Sequence, residues 1–417
     1  MTMSLDLFSY QPVGDKKNSY FFNEYRLKIY ERRRSSGLED LLQEICALVV
    51  QVETGDALAY MEELYLMTPY RFRDAYLNST HKIYILESEP ECPRYIVLEP
   101  LAVNFEDDLT RLNMLYPLAR KKPNARYVGE IFRTRDLRAT RQILESHNVR
   151  FHYSHETEND FFSSTHFNFT FPSSLTGNRI GYMSADTFDL DRLELGQRIL
   201  LRGKDIDALN KAEGSTVRKG TTSLILGIDH MATRILSGER EDAILEFLTL
   251  SNYYFWGAYN IADQNSSTNV NRNPHVSDEK KSPAKVFTAN NTPSFVNSFE
   301  NLPMPTENFV RNFGRRMHHV AYEVRDGDHL SGEKNVDFVV ETLKEFGILF
   351  LADVVGECKD QPNLKQVFSK HSEYSILITE YVERCHSFDG FFTRQNVAAL
   401  TEAAGADECY HHGNIFD

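Results

Sequence analysis

The chain has 417 residues, 41% hydrophobic and 25% charged, which suits a packed soluble protein too long for one ordinary core and predicts two domains. Its net charge of −14 and pI near 5.5 argue against nucleic acid or an anionic membrane surface as a partner. The five scattered cysteines (Cys46, Cys92, Cys358, Cys385 and Cys409) contain no CxxC pair and point to neither a zinc-thiolate site nor a disulfide framework. The N-terminus has no apolar h-region and no run approaches 18 apolar residues, so a cytoplasmic location is the simplest expectation.

Residues 1–36 are mixed and charged and read as an N-terminal lead-in. The first domain is expected over 37–206. Within it, 45–72 reads as strand, turn, helix and loop, and "HKIYILESE" (81–89) as a further strand. "RYVGEIFRT" is a strand followed by an amphipathic helix over 136–151, and "FNFTFPSS" (167–174) reads as another strand. The polar stretch 207–221 reads as a linker, and the second domain is expected over 222–406 with a short tail at 407–417. There, 228–255 repeats the layout of 45–72, and the Asn/Ser/Pro-rich stretch 262–285 reads as a long surface loop. "RMHHVAYEV" followed by 335–350 repeats the second strand and helix. The chain thus reads as an α+β fold with an internal repeat, carrying four βα units, two per half.

Aligning the halves places His230 opposite Ala47 and His319 opposite Gly129. Core positions recur in both copies, but the imidazoles occur only in the second, which favours chemistry over folding as their reason. Both lie near the start of their strands in this reading. Glu380 sits in the otherwise apolar strand "YSILITEYVERC", where an unpaired buried carboxylate costs several kcal/mol. Two imidazoles and a carboxylate on three strands of one sheet form a facial triad with open coordination positions, the pattern of non-haem Fe(II) oxygenases. These residues alone do not select iron over zinc or manganese. By strand alternation His318 should point away from His319, toward a supporting layer or the surface.

These segments resemble the 4-hydroxyphenylpyruvate dioxygenases of the vicinal oxygen chelate superfamily. "GIDHMATRI" is similar to the family's first-ligand strand, "MHHVAYEV" to its QHIA segment, "LKQVFSK" to LLQIFTK and "ITEYVER" to FFEIIQR. "DGFFTRQNVAALTEAAG" resembles the closing GFGxGNFxALFEA helix. The resemblance covers 222–405; the first half matches only as repeat architecture. It implies two domains of paired βαβββ modules, with Fe(II) held by His230, His319 and Glu380 and O2 as co-substrate. A 2-oxo acid would be oxidatively decarboxylated and the same molecule hydroxylated. By position, Gln366, Phe391 and Asn396 would meet the substrate, and Asn297 aligns with the asparagine of the family's "NEP" strand.

The departures fall on specificity. Val397 stands where the family has Phe, Phe392 and Arg394 replace glycines, and "MPTENFVRNF" lacks the family's glutamine. The substrate is therefore 4-hydroxyphenylpyruvate or an altered relative. Hydroxymandelate formation, a glyoxalase-like metal isomerase and a non-catalytic module binding a metal or small acid stay open. A homo-oligomer is compatible with these features.

Overall fold

The computed structural model describes residues 5–15, 19–89, 92–152, 161–163, 167–184, 195–274, 282–297, 302–359 and 361–405. The tail expected at 407–417 lies outside them. Runs rich in β-branched and aromatic residues supply most of the strands. In chain order these are β1 (Val13–Gly14), β2 (Leu42–Gln51), β3 (Arg71–Leu77), β4 (His81–Glu87), β5 (Arg94–Pro100), β6 (Arg126–Thr134), β7 (Phe167–Phe169), β8 (Arg179–Ser184) and β9 (Gln197–Ile199). The second half adds β10 (Ile225–Arg234), β11 (Tyr254–Ile261), β12 (Ser266–Arg272), β13 (Ala284–Asn290), β14 (Arg316–Val324), β15 (Asn363–Phe368) and β16 (Ile378–Cys385). The helices are α1 (Ser19–Ser36), α2 (Leu38–Leu41), α3 (Ala57–Met67), α4 (Asp108–Met114), α5 (Leu137–Ser146), α6 (Gly203–Lys219), α7 (Arg240–Leu250), α8 (Ser294–Asn297), α9 (Pro305–Phe313), α10 (Asn335–Glu345) and α11 (Arg394–Gly405).

The strands form two eight-stranded sheets, ordered β7-β8-β6-β2-β5-β4-β3-β9 and β1-β11-β12-β13-β10-β14-β16-β15. Leaving aside the edge strands β9 and β1, the second order is the first read from its other edge. In each half a complete βαβββ module (β2-α3-β3-β4-β5 or β10-α7-β11-β12-β13) precedes a second one. In the second module one strand shrinks to a single bridge, Phe151 with Thr170 or Phe350 with Ser369.

The registers give the equivalences directly. Ala47 pairs with Ile131 as His230 pairs with Ala321, and Val49 pairs with Gly129 as Ala232 pairs with His319. Ile131 pairs with Gly181 as Ala321 pairs with Glu380. Ala47, Gly129 and Gly181 therefore occupy in the first sheet the places of His230, His319 and Glu380 in the second. The first sheet's concave face is filled by Phe161, Phe162, Phe167 and Phe169 packed on Ile83, Ile85, Ile96 and Leu98. Between the sheets lies the main core, crossed by a buried ion pair from Lys285 to Glu130 at 2.7 Å. The Tyr127 hydroxyl donates to the other oxygen of Glu130 at 2.8 Å.

Four expectations are corrected. The linker expected at 207–221 falls largely in helix α6, which buries Leu209 and Thr216, packs on α3, pairs Glu213 with Arg71 at the start of β3 at 2.9 Å and ends at Gly220 with φ +82°. The lead-in is part of the second sheet. Its strand β1 pairs with β11, and Arg33 donates to the carbonyls of Leu248, Ser251 and Tyr253 at 3.0, 2.9 and 2.6 Å. The loop expected at 262–285 contains β12, a polar strand buried because Asn269 and Asn271 bond across to the Phe287 and Lys285 carbonyls at 3.2 Å. Lastly, Cys358 and Cys385 form a disulfide with Cα atoms 5.7 Å apart, a pairing their 27-residue separation gave no sign of. No helix among the described residues is long and apolar enough to cross a membrane.

Candidate metal centre

His230, His319 and Glu380 lie on the adjacent strands β10, β14 and β16 and meet inside the second sheet's curl. Both histidines sit well within their strands rather than near the start, His230 being the sixth residue of β10. His230 Nε2 is 3.1 Å and His319 Nε2 3.2 Å from Glu380 Oε2, and the two nitrogens are 3.3 Å apart. A cation about 2.1 Å from three donors would hold them about 3.0 Å apart at right angles and about 3.4 Å apart at tetrahedral angles. The observed triangle falls between. Glu380 is 1% exposed, and neither of its oxygens has an aligned hydrogen-bond donor among the described residues. Such an acceptor, facing two imidazole nitrogens, fits a divalent ion.

The supporting residues depend on two β-bulges. On β10, Ile228 pairs with Tyr322 but His230 with Ala321, which leaves Asp229 as an extra residue beside His230. Asp229 Oδ1 lies 2.7 Å from His230 Nδ1, and Arg384 grips both carboxylate oxygens at 2.8 Å. On β14, Met317 and His319 oppose the neighbours Thr233 and Ala232, so His318 is the extra residue. The bulge breaks alternation there. His318 is buried and lines the same cavity as His319, with the two Nδ1 atoms 2.9 Å apart. The expectation that it points away from His319 is therefore wrong. A cation at Nε2 of His319 leaves its proton on Nδ1 for His318 to accept, as Asp229 accepts from His230.

The electrostatics are those of a proton waiting to be exchanged. Burial disfavours a charged His230, but Glu380 and Asp229 outweigh it and hold the pKa up at about 9. Burial pushes His319 well below the usual histidine range, and the neighbouring charges of His230 and Arg234 add to this. Burial likewise raises Glu380, against the pull of His230. One imidazolium shared by two carboxylates marks the charge a divalent ion would take over.

Around the triad the cavity is lined by Arg234, Ser266, Thr268, Val286, Thr288 and Thr306 and closed by Gln366, Phe368, Phe392, Val397, Leu400 and Thr401. Gln366 lines this cavity, its Oε1 buried without a hydrogen-bond partner among the described residues. Two other anticipated residues do not line this cavity. Phe391, with φ +61°, packs behind His230 at 5.6 Å and against Trp256 at 5.8 Å; its neighbour Phe392 faces the cavity. Asn396 holds the start of α11, donating to the Leu364 carbonyl at 3.1 Å and accepting from Thr393 at 2.9 Å. Asn297 ends the short helix α8 and is not on a strand. Sequence reasoning missed Asp229, Arg384 and Arg234. The first two carried a readable signal, opposite charges in "GIDH" and "EYVER" beside two predicted ligands.

No family profile and no curated protein sequence matches the chain. Solved structures do. A triple mutant of 4-hydroxymandelate synthase from Streptomyces coelicolor superposes with a TM-score of 0.57 at 15% identity, over 88% of this chain and 99% of that one. A xylose isomerase-like TIM barrel/4-hydroxyphenylpyruvate dioxygenase fusion protein gives 0.56 at 12% identity, over 93% of this chain. The chain spans 58% of the fusion protein's length. At these identities the likeness establishes the fold. The chain has the vicinal oxygen chelate dioxygenase fold, an α+β arrangement of paired βαβββ modules.

Proposed function

We propose that this protein is an Fe(II)-dependent dioxygenase that oxidatively decarboxylates a 2-oxo acid and hydroxylates the same molecule, in the manner of the 4-hydroxyphenylpyruvate dioxygenases. The observation that carries the reading is the 3.1–3.3 Å triangle of His230, His319 and Glu380 in a buried cavity. The fold shared with 4-hydroxymandelate synthase is consistent with it.

His230, His319 and Glu380 would hold the ion on one face. Fe(II) supplies open positions for chelation by a 2-oxo acid and the redox chemistry with O2. Asp229 and His318 would fix the rings by accepting hydrogen bonds from their Nδ1–H groups, so that both Nε2 lone pairs face inward. Phe368, Phe392, Val397 and Leu400 exclude water from the reacting end, and Gln366 offers its amide to the bound acid. One oxygen atom of O2 ends in the carboxylate formed at the former keto carbon and the other in the new hydroxyl group, with CO2 released.

The test is oxygen uptake and CO2 release by Fe(II)-loaded protein across a panel of 2-oxo acids. The reading requires both signals with at least one acid, one O2 per CO2, and none without iron. Absence of uptake with every acid, iron being bound, refutes it.

A further inference from the structure

The sheet that carries the triad borders a second cavity on its other face. Val286 and Thr288 of β13 line the triad's cavity, while Lys285 and Phe287, alternating with them, line this one. It measures about 370 Å³ and lies between the two halves, lined by Glu130, Ser173 and Asn178 from the first and by Glu246, Phe247 and Lys285 from the second. An apolar cavity of about 150 Å³ holds a benzene molecule, so this one has room for a ring and a short chain.

Two carboxylates line it, and their surroundings differ. Glu130 has its cation, Lys285 Nζ at 2.7 Å, and a hydrogen bond from the Tyr127 hydroxyl. Glu246, on α7, has no cation among the described residues; its one hydrogen bond comes from the hydroxyl of Ser173. Burial raises its pKa, and no neighbouring positive charge pulls it back. Arg150 also lines the cavity but sits at the exposed rim over the Phe171 ring, and burial holds His147 below the usual histidine range. Asn178 is 4% exposed; its Nδ2 donates to Thr233 Oγ1 at 3.3 Å, and its Oδ1 has no hydrogen-bond partner among the described residues.

What the cavity leaves unmet is therefore a negative charge and an acceptor, beside the rings of Phe247 and Phe287. An ammonium group supplies the opposite charge and up to three donors, and ring faces attract it. A bare metal ion fits less well. Glu246 belongs to neither cluster of metal-ligating side chains among the described residues, and an ion would leave most of the space empty.

We infer that this cavity is a second binding site, separate from the metal centre, for an arylalkyl primary amine. Its ammonium group is held by Glu246 and Asn178, and its ring packs on Phe247 and Phe287.

The experiment is an anaerobic calorimetric titration of the Fe(II)-loaded protein with phenethylamine, with phenethyl alcohol as the neutral analogue and with phenylpropanoate as the anionic one. One amine should bind per chain, at least tenfold more tightly than either analogue, and with an affinity that stays within twofold in the metal-free protein. Glu246→Gln should erase the preference for the amine while iron affinity remains within twofold of wild type. The comparison of the three probes on the wild-type protein decides the matter if that variant does not fold. No binding of the amine, equal or tighter binding of the alcohol or the acid, a need for iron, or a preference that survives in folded Glu246→Gln overturns the inference.

Discussion

Asp229 accepts the Nδ1 proton of His230 at 2.7 Å, on a strand where simple alternation would turn adjacent side chains to opposite faces. A bulge brings them together, and Arg384 fixes the carboxylate while also donating to the Phe391 carbonyl at 2.8 Å. One guanidinium therefore ties the orientation of a ligand ring to the segment that leads into α11. Asp229→Asn should lower iron affinity about 10–100-fold, the usual cost of losing a carboxylate behind a ligating histidine. Calorimetric titration with Fe(II) checks it, and an affinity within twofold of wild type would show that Asp229 does not orient the ring.

The repeat offers a control. Gly181 holds in the first sheet the place of Glu380, and a Cβ there would meet the Phe169 ring at 2.6 Å and Ile131 at 3.0 Å. Gly181→Ala should cost about 1–3 kcal/mol of stability by overpacking and leave iron stoichiometry unchanged. Thermal unfolding with and without iron separates the two effects.

Glu63 on α3 predicts a pH dependence away from the metal. Burial raises its pKa to about 7, against a hydrogen bond with Ser372. The folded state then binds more protons than the unfolded state between the ordinary carboxylate value and 7. The stability gained from this group is complete at low pH and is lost as pH rises through 7. Glu63→Gln should therefore stabilise the protein by about 1–2 kcal/mol at pH 8, partial exposure reducing the full shift, and by little at pH 5. Denaturant unfolding at both values tests the sign.

The Cys358–Cys385 bridge closes a loop of 27 residues in sequence separation and anchors 351–359 to the strand bearing Glu380. Cys358→Ser should destabilise the chain by up to about 3–4 kcal/mol on the loop-closure account. Unfolding of the variant beside the oxidised and reduced wild type measures it, and equal stability of all three would show that the bridge carries no load.

Much of this site could be read from the sequence because the repeat acts as an internal control. His230 and His319 stood out against Ala47 and Gly129, Glu380 stood out as a charge in an apolar strand, and the four βα units fell where hydrophobic period placed them. What failed did so for local physical reasons. His318 was turned the wrong way because a bulge inserts one residue, and no periodic rule foresees that. Strand β12 was taken for a loop because it is built of Asn, Ser and Thr: Asn269 and Asn271 bond across to β13 carbonyls while Ser266 and Thr268 face the cavity, so it lacks the apolar signature of a buried strand. Helix α6 was taken for a linker because few of its residues are apolar. The cysteine pair is a relationship across distant chain segments, which spacing does not encode.

The central claim is that three side chains from separate strands bind one divalent ion, and anaerobic calorimetric titration of the metal-free protein with Fe(II) tests it most directly. The account predicts one ion per chain, with affinity falling at least a hundredfold in Glu380→Ala and in His319→Ala while both variants keep the wild-type fold by circular dichroism. Undiminished iron binding in either folded variant, or no binding by the wild type, would contradict it.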